Sequence, residues 1–342
     1  MGKWINAALS ASNLVIGYKG KPLAEPLDFT LREGELVCLI GPNGAGKSTL
    51  LRTLAGMQRP LHGIVHMGSA IPYAISPTER ARLLSVVLTA RPDALLLTGY
   101  ALVALGRHPY TDWRGQMTPD DAAAVETAIM AVGAAEYAHR PLNTLSDGQA
   151  QKLMIARALA QDAPFMLLDE PTAYLDLPRR VEIVQLLRRI AHEQRRAVLL
   201  TTHDLDLALR TADRLLLLAD GHLHTGAPED LILSGAFERA FHAQGVAFDS
   251  ASGSFCFGDP AVQPIALVGE GQVRRWTQRA LERAGCSVQE SAAQRIVIAQ
   301  TSAGTRWQLW RGERCEEYET IHALVAALRH QPTPAANSSF EK

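Results

Sequence analysis

The chain is poor in cysteine: Cys38, Cys256, Cys286 and Cys315 are the only four in 342 residues. They are scattered, with neither metal-ligand spacing nor the density of a disulfide framework. That excludes a stapled scaffold and fits a reducing compartment. Aromatic residues are few, at 6%, and neither charge sign is in excess, since 34 Lys and Arg against 35 Asp and Glu leave a net charge of −1. This balance excludes bulk electrostatic binding to DNA or to an anionic membrane surface. Long apolar runs are missing too: residues 93–106 carry apolar side chains but are too short to span a bilayer. Met1-Gly2-Lys3-Trp4 leads into a mixed polar segment and does not read as a secretory signal. If the protein works at a membrane, another chain is expected to supply the spanning part.

What the chain does have is a hydrophobic fraction of 47% and a charged fraction of 20%. These suit a globular protein with a sizeable core, and the length suits a large domain followed by a smaller one. The most informative stretch is Gly41-Pro42-Asn43-Gly44-Ala45-Gly46-Lys47-Ser48-Thr49. It matches the phosphate-binding loop pattern of two glycines at fixed spacing followed by Lys and Ser/Thr. Before it, Glu35-Leu36-Val37-Cys38-Leu39-Ile40 reads as a buried strand; after it, Leu50, Leu51 and Leu54 fall at helical spacing, with Gly56 as a helix stop. Glycines let backbone N–H groups turn toward phosphate oxygens, and the helix start adds partial positive charge. Lys47 is expected to reach the β- and γ-phosphates, and Ser48 to offer its hydroxyl to Mg²⁺.

Strands are expected around Leu14-Val15-Ile16 and Leu27-Asp28-Phe29, joined by a turn at Tyr18-Lys19-Gly20-Lys21. An aromatic ring at a sheet edge can stack on adenine, so Tyr18 is a candidate; taken alone, its surroundings read as an ordinary strand tyrosine. From Pro77 the texture turns helical, with Thr78 as a candidate cap, a helix opening at Pro119-Asp120-Asp121, and another after Leu145-Ser146-Asp147-Gly148-Gln149. Apolar Phe165-Met166-Leu167-Leu168 then ends in Asp169-Glu170, which places carboxylates beside the phosphates of a parallel sheet. A helix from about Pro178 to Gln194, the strand leading into Thr201-Thr202-His203-Asp204, a helix and a last apolar strand follow. Apolar strands alternating with helices call for a mostly parallel sheet covered on both faces.

After residue 258 the motifs end, and strands at 264–269, Ile296/Ile298 and Trp307/Leu309, with helices through Val273, Trp276, Ala280 and Leu281 and through Ile321, Leu324, Val325 and Leu328, read as a βαββα-like module. Its Gly269-Glu270-Gly271 is too incomplete for a nucleotide fingerprint and reads as a plain turn. The tail at residues 331–342 is expected to be disordered.

Taken in order, these segments closely resemble the nucleotide-binding subunit of ATP-binding cassette (ABC) transporters. Residues 41–49 are similar to the Walker A loop, and Leu145-Ser146-Asp147-Gly148-Gln149 to the LSGGQ signature, with Asp at its third position. Residues 165–170 resemble Walker B followed by the family's glutamate, Ala173-Tyr174-Leu175-Asp176 the D-loop, and Thr202-His203-Asp204 the switch-histidine segment. The resemblance, which covers roughly Ala11 to Gly235, implies an α/β P-loop NTPase fold of the ABC ATPase type, with a mixed sheet and a helical subdomain at about 77–163. With it, residues 1–258 read as the nucleotide-binding domain, and the small C-terminal α+β module, which rests on periodicity, stands as an accessory module at 259–330.

The same resemblance implies ATP and Mg²⁺ as ligands. Asp169 would hold the metal through a water, Glu170 would act as general base, and His203 would contact the γ-phosphate, with Lys47 completing the catalytic set. Tyr18, Gly41, Pro42, Asn43, Gly44, Ala45, Gly46, Ser48 and Thr49 would line the nucleotide, and Ser146, Gly148 and Gln149 would close on it from a second subunit. One Walker A loop and one signature per chain imply a homodimer. Thr89 stands where the family usually carries a metal-touching Gln, so its contact to Mg²⁺ is expected to be indirect or lost.

Gly106-Arg107-His108-Pro109-Tyr110 and Tyr174-Leu175-Asp176 most resemble importers of the iron-siderophore, haem and vitamin B12 type. Such a subunit would sit at the cytoplasmic face of the membrane, bound to an integral membrane permease and served indirectly by a periplasmic or extracellular substrate-binding protein. Two readings fit Pro109 and Tyr110: contacts to the permease, or internal packing of the helical subdomain. The alternative function is a non-transport ABC ATPase acting on nucleic acid or ribosomes, against which stand the near-neutral charge and the single cassette. No nucleic-acid partner is expected. A third reading makes the C-terminal module a sensor of a ligand or partner.

Overall fold

The computed structural model describes residues 8–89, 97–112, 114–242, 247–249, 254–256, 263–301 and 304–329. The tail expected at 331–342 lies outside the described residues. The chain divides into two compact units, Met1–Phe241 and His242–Lys342.

In the first unit, Arg214–Ala219, Leu36–Ile40, Ala197–Thr201, Phe165–Leu168 and Leu84–Val87 lie side by side in that order, all parallel. Leu36–Ile40, Phe165–Leu168 and Ala197–Thr201 are buried at every position, which is why they read as continuous apolar runs rather than alternating ones. His222–Gly226 folds back antiparallel on the outer edge through Asp220 and Gly221, whose φ angles of 49° and 79° suit a tight hairpin turn. Because the five strands are parallel, their C-terminal ends share one edge of the sheet. Gly41, Thr89, Asp169 and His203 all leave the sheet there.

A second sheet, Leu27–Arg32 with Ala8–Val15 and His62–Met67, is antiparallel. It shares a core with the parallel sheet and with helix Lys47–Leu54, through Leu9, Leu31, Leu51, Leu54, Phe165 and Leu199. The helical stretch holds Gly99–Ala104, Pro119–Ala131 and Asp147–Ala160, packed through Leu102, Val125, Ile129, Leu153 and Ile155. The helix expected to be capped by Thr78 is Pro77–Leu83, capped by Ser76, which forms a capping box with Glu79. The correction follows from Pro77: its fixed φ and missing N–H suit the first helical position, so the cap falls on the residue before it.

One buried ion pair ties this helical stretch together. Arg107 Nε donates to Asp121 Oδ1 at 2.8 Å, and Arg107 Nη1 donates to the Ala160 carbonyl at 2.8 Å. The Thr118 N–H, donating to Asp121 Oδ2 at 3.0 Å, is the main influence holding that carboxyl below its ordinary value of 3.8, with the Thr118 hydroxyl and Arg107 adding to it. A depressed carboxyl stabilises the fold above its ordinary value and loses that contribution as pH falls through the lower folded value. Asp121→Ala leaves Arg107 buried and half-paired, and should cost about 3–5 kcal/mol in a denaturant titration. A loss below 1 kcal/mol would show the pair to be dispensable.

The second unit contains an antiparallel strand pair, Ala247–Asp249 with Ser254–Cys256, and a five-stranded sheet with two helices. Strand Gln263–Val268 is flanked by parallel Cys286–Gln289 and Gln294–Thr301; Gly304–Arg311 and Arg314–Tyr318 extend the sheet antiparallel to an open edge. The order is therefore βαββββα, with two strands more than the sequence suggested. Helices Gly271–Arg283 and Ile321–Arg329 bury Leu281, Leu324 and Leu328 with Ile265, Ile296 and Leu309. Trp276, expected on the inward stripe, is 55% exposed, because Thr277 takes the inward position and accepts a 2.8 Å hydrogen bond from Trp307 Nε1.

Candidate nucleotide site

The phosphate loop is shaped by backbone that only glycine tolerates. Gly41 has φ 147°, and a Cβ there would sit 2.0 Å from the Leu218 carbonyl oxygen on the neighbouring strand. Gly46, with φ 105°, caps helix Lys47–Leu54. A Cβ on Gly46 would meet Ile16 at 3.2 Å and Leu23 at 3.5 Å, the residues flanking the hairpin that carries Tyr18. The Tyr18 ring is 65% exposed. Its hairpin thus stands beside the loop, with the Lys19 ammonium 5.6 Å from the Tyr18 ring centroid. Pro42, Asn43, Gly44 and Ala45 complete the loop, and Ser48 and Thr49 open the helix, with the Ser48 side chain exposed.

Lys47 is buried and folded back, its ammonium donating to the carbonyls of Gly41 at 2.7 Å and Pro42 at 2.9 Å. Burial pulls its pKa below 10.5, partly offset by the charges of Glu170 and Asp169. The sign matters for binding. A polyphosphate favours the ammonium form, so affinity is complete below the depressed pKa and falls as pH rises through it, before pH 10.5 is reached. Nucleotide titrations across that alkaline window should show weakening affinity with proton uptake on binding. A flat profile up to the ordinary lysine value would contradict the burial argument.

Across from Lys47, Asp169 and Glu170 follow strand Phe165–Leu168. Glu170 Oε1 lies 2.7 Å from His203 Nε2, and both side chains are partly open to solvent, at 34% and 47%. With the Nε2–H tautomer the imidazole donates to the carboxylate. Glu170 has φ 48°, the left-handed region that non-glycine residues avoid unless the surroundings hold them there. The Asp169 carboxylate accepts from the Thr201 hydroxyl at 2.8 Å, and that hydroxyl accepts the Glu170 N–H at 2.8 Å. The Thr89 hydroxyl donates to the Asp169 carbonyl oxygen at 2.8 Å. Lys47, Thr89, Asp169, Glu170 and His203 are thus brought to one edge of the sheet.

Ser146, Gly148 and Gln149 lie on another element. The Ser146 Oγ accepts the Gln149 N–H at 3.3 Å, and Gln149 Oε1 accepts the Ser146 N–H at 3.0 Å, so this segment is a capping box opening helix Asp147–Ala160. Asp147 stands in its first turn. Pro109 and Tyr110 are used internally: Arg82 donates from Nε and Nη2 to the Pro109 carbonyl at 3.1 and 2.9 Å, and the Tyr110 ring lies 4.0 Å from the Arg107 guanidinium carbon. Both residues thus pack within the helical stretch. Sequence reasoning passed over Thr201, which sat at the end of an apolar run with no signal beyond its hydroxyl.

The donor set suits Mg²⁺. Ser48 and Asp169 offer hard oxygen atoms, and among the described residues no group of three or more His, Cys, Asp or Glu forms a metal cage. Mg²⁺ ordinarily takes one or two protein oxygens and fills its remaining positions with phosphate and water.

The ABC transporter family profile matches residues 24–173, and the profile of the iron ABC transporter C-terminal domain matches residues 262–329. The chain is similar to the cobalamin import ATP-binding protein of Halobacterium salinarum, 36% identical over 289 residues that span 82% of this chain and 72% of that one. It is also similar to the iron(3+)-hydroxamate import ATP-binding protein of Bacillus subtilis, 39% identical over 215 residues, 63% of this chain and 80% of that one. Among solved structures, an inward-facing transporter described as metal-chelate type aligns with TM-score 0.62 and 28% identity over 69% of this chain and 90% of that one. A dimeric ATP-binding cassette in a post-hydrolysis state with ADP and phosphate aligns with TM-score 0.56 and 27% identity, over 64% and 98% of the two chains.

Proposed function

The chain belongs to the ABC transporter family, and from that premise we propose that it is the ATP-hydrolysing subunit of an importer for an iron chelate, haem or cobalamin. The observation that carries the reading is the convergence of Lys47, Asp169, Glu170 and His203 at the ends of parallel strands. Two copies would close on ATP, each offering Ser146 and Gly148 to the nucleotide on its partner's phosphate loop, and would reopen after hydrolysis. A separate permease would couple that motion to transport, with a substrate-binding protein delivering the solute. Among the described residues no helix is long and apolar enough to cross a membrane. In keeping with its similarity to import ATP-binding proteins, the subunit would work through the permease from the cytoplasmic face.

In this reading the loop amides and Lys47 hold the phosphates and offset their charge. Mg²⁺, held by Ser48 and near Asp169, would neutralise charge building on the transferred phosphoryl oxygens. Glu170 accepts the proton of the attacking water, and His203, held at 2.7 Å from it, keeps that carboxylate facing the γ-phosphate position. Catalysis is mainly positioning and electrostatics. Tyr18 would stack on the adenine.

The test is a Mg²⁺-dependent ATPase assay on the purified chain, combined with affinity purification from membranes and uptake of each labelled solute into vesicles carrying the permease. Co-purification of a polytopic membrane protein supports import. Co-purified ribosomes or RNA, without a membrane partner, would favour the non-transport alternative.

A further inference from the structure

We propose that Thr201, assisted by Thr89, is a positioning residue for hydrolysis, clamping the peptide between Asp169 and Glu170 so that the Glu170 carboxylate faces the attacking water. The inference rests on the ATPase reading of the site and goes beyond it. Thr201 ends strand Ala197–Thr201 and is fully buried, an environment in which an unpaired hydroxyl is costly. Its hydroxyl makes two bonds across 31 and 32 residues of sequence, to the Glu170 N–H and to Asp169 Oδ1, both at 2.8 Å.

The polarity of these bonds is fixed. An amide can only donate, so the Thr201 oxygen accepts from Glu170, and its single proton is left for Asp169. That requires an acceptor carboxylate oxygen and orients the Asp169 side chain as well as the Glu170 backbone. From the opposite side, the Thr89 hydroxyl donates to the Asp169 carbonyl at 2.8 Å, just beyond strand Leu84–Val87. The Asp169 N–H is itself held by the Val87 carbonyl at 2.8 Å.

The peptide unit joining the two acids is therefore gripped at its C=O by Thr89 and at its N–H by Thr201, hydroxyls carried by the two segments flanking strand Phe165–Leu168. This grip matters because Glu170 sits at φ 48°. Releasing the 169–170 peptide would let the backbone leave that unfavourable torsion, and a shift of the Glu170 N and Cα atoms would carry the carboxylate away from His203. Holding the peptide in place holds the position of the base. Thr89, expected beside the metal, contributes here as a backbone anchor for the acid that faces the metal.

The test compares Thr201→Val, which keeps the shape and deletes the hydroxyl, with Thr201→Ser, which restores it. Thr201→Val should lower kcat by about 10²-fold, the scale set by a misplacement near 1 Å, with the KM for ATP changed less than about threefold. Thr201→Ser should recover most of the rate. In the nucleotide-free protein, the Glu170 amide should exchange its hydrogen faster in Thr201→Val and return to the wild-type rate in Thr201→Ser. Thr89→Val supplies a second variant, with a smaller loss of kcat and again little change in KM. Unchanged Glu170 amide exchange in Thr201→Val, or a Ser variant as slow as Val, would overturn the clamp. If wild-type protein bound ATP without hydrolysing it, the ATPase reading would fall, whereas the exchange experiment would still report on the clamp by itself.

Discussion

Glu170→Gln is expected to slow ATP hydrolysis by about 10²–10⁴-fold, the range that a positioned general base contributes. The amide keeps the size and one oxygen of the carboxylate, so the contact that Glu170 Oε1 makes with His203 at 2.7 Å can persist while proton acceptance is lost. Nucleotide binding should be retained within a few-fold, because phosphate contacts come from the loop and Lys47 rather than from this side chain. If two subunits close on ATP and reopen on hydrolysis, the variant should also accumulate as an ATP-bound dimer in size-exclusion chromatography with Mg²⁺. A variant that turned over at more than a tenth of the wild-type rate would move the role of base to another group.

Lys47→Ala should fail at an earlier step. Removing a desolvated cation from the phosphate site should weaken ATP binding by about 2–5 kcal/mol, or roughly 30- to 5,000-fold in Kd. Calorimetric or fluorescent-nucleotide titration would measure it. Stability is expected to respond differently from affinity. Burial pulls the Lys47 pKa below 10.5, which means that the folded, nucleotide-free chain bears a cost for this charge at neutral pH. The two carbonyl bonds to Gly41 and Pro42 offset part of that cost. The nucleotide-free variant should therefore unfold close to the wild-type temperature even though its affinity has collapsed. A large fall in thermal stability would mean that Lys47 holds the loop together rather than waiting for phosphate.

Some of this site could be read from residues in a row. Gly41 to Thr49 are contiguous because a loop must wrap one phosphate chain, and Asp169-Glu170 follow Phe165–Leu168 because a parallel strand delivers what comes after it to one edge. Strands buried on both faces left apolar runs that needed no alternation to be recognised. The contacts that orient the site were not legible in the same way. Thr201 meets Asp169 and Glu170 only because Phe165–Leu168 pairs with Ala197–Thr201, a neighbour relation that periodicity does not encode. The same holds for Arg107 and Asp121, joined across the helical stretch. In the C-terminal unit, Cys286–Gln289 is short and Arg314–Tyr318 is polar, so neither offered the alternation that marks a half-buried strand. Trp276 falls at helical spacing with Val273 and Ala280, yet it is the smaller Thr277 that lies inward and accepts the Trp307 Nε1–H.

The open edge at Arg314–Tyr318 also bears on behaviour in concentrated solution. An edge strand exposes unpaired N–H and C=O groups that another chain could adopt as a template. Here Arg314, Cys315, Glu316 and Glu317 are all exposed along that edge. Docking a foreign strand against it would crowd water from Arg314 and from carboxylates already engaged within the sheet, Glu316 by Tyr318 and Glu317 by Gln308. Such charges oppose fibril-like stacking at a strand that, among the described residues, pairs only with Gly304–Arg311.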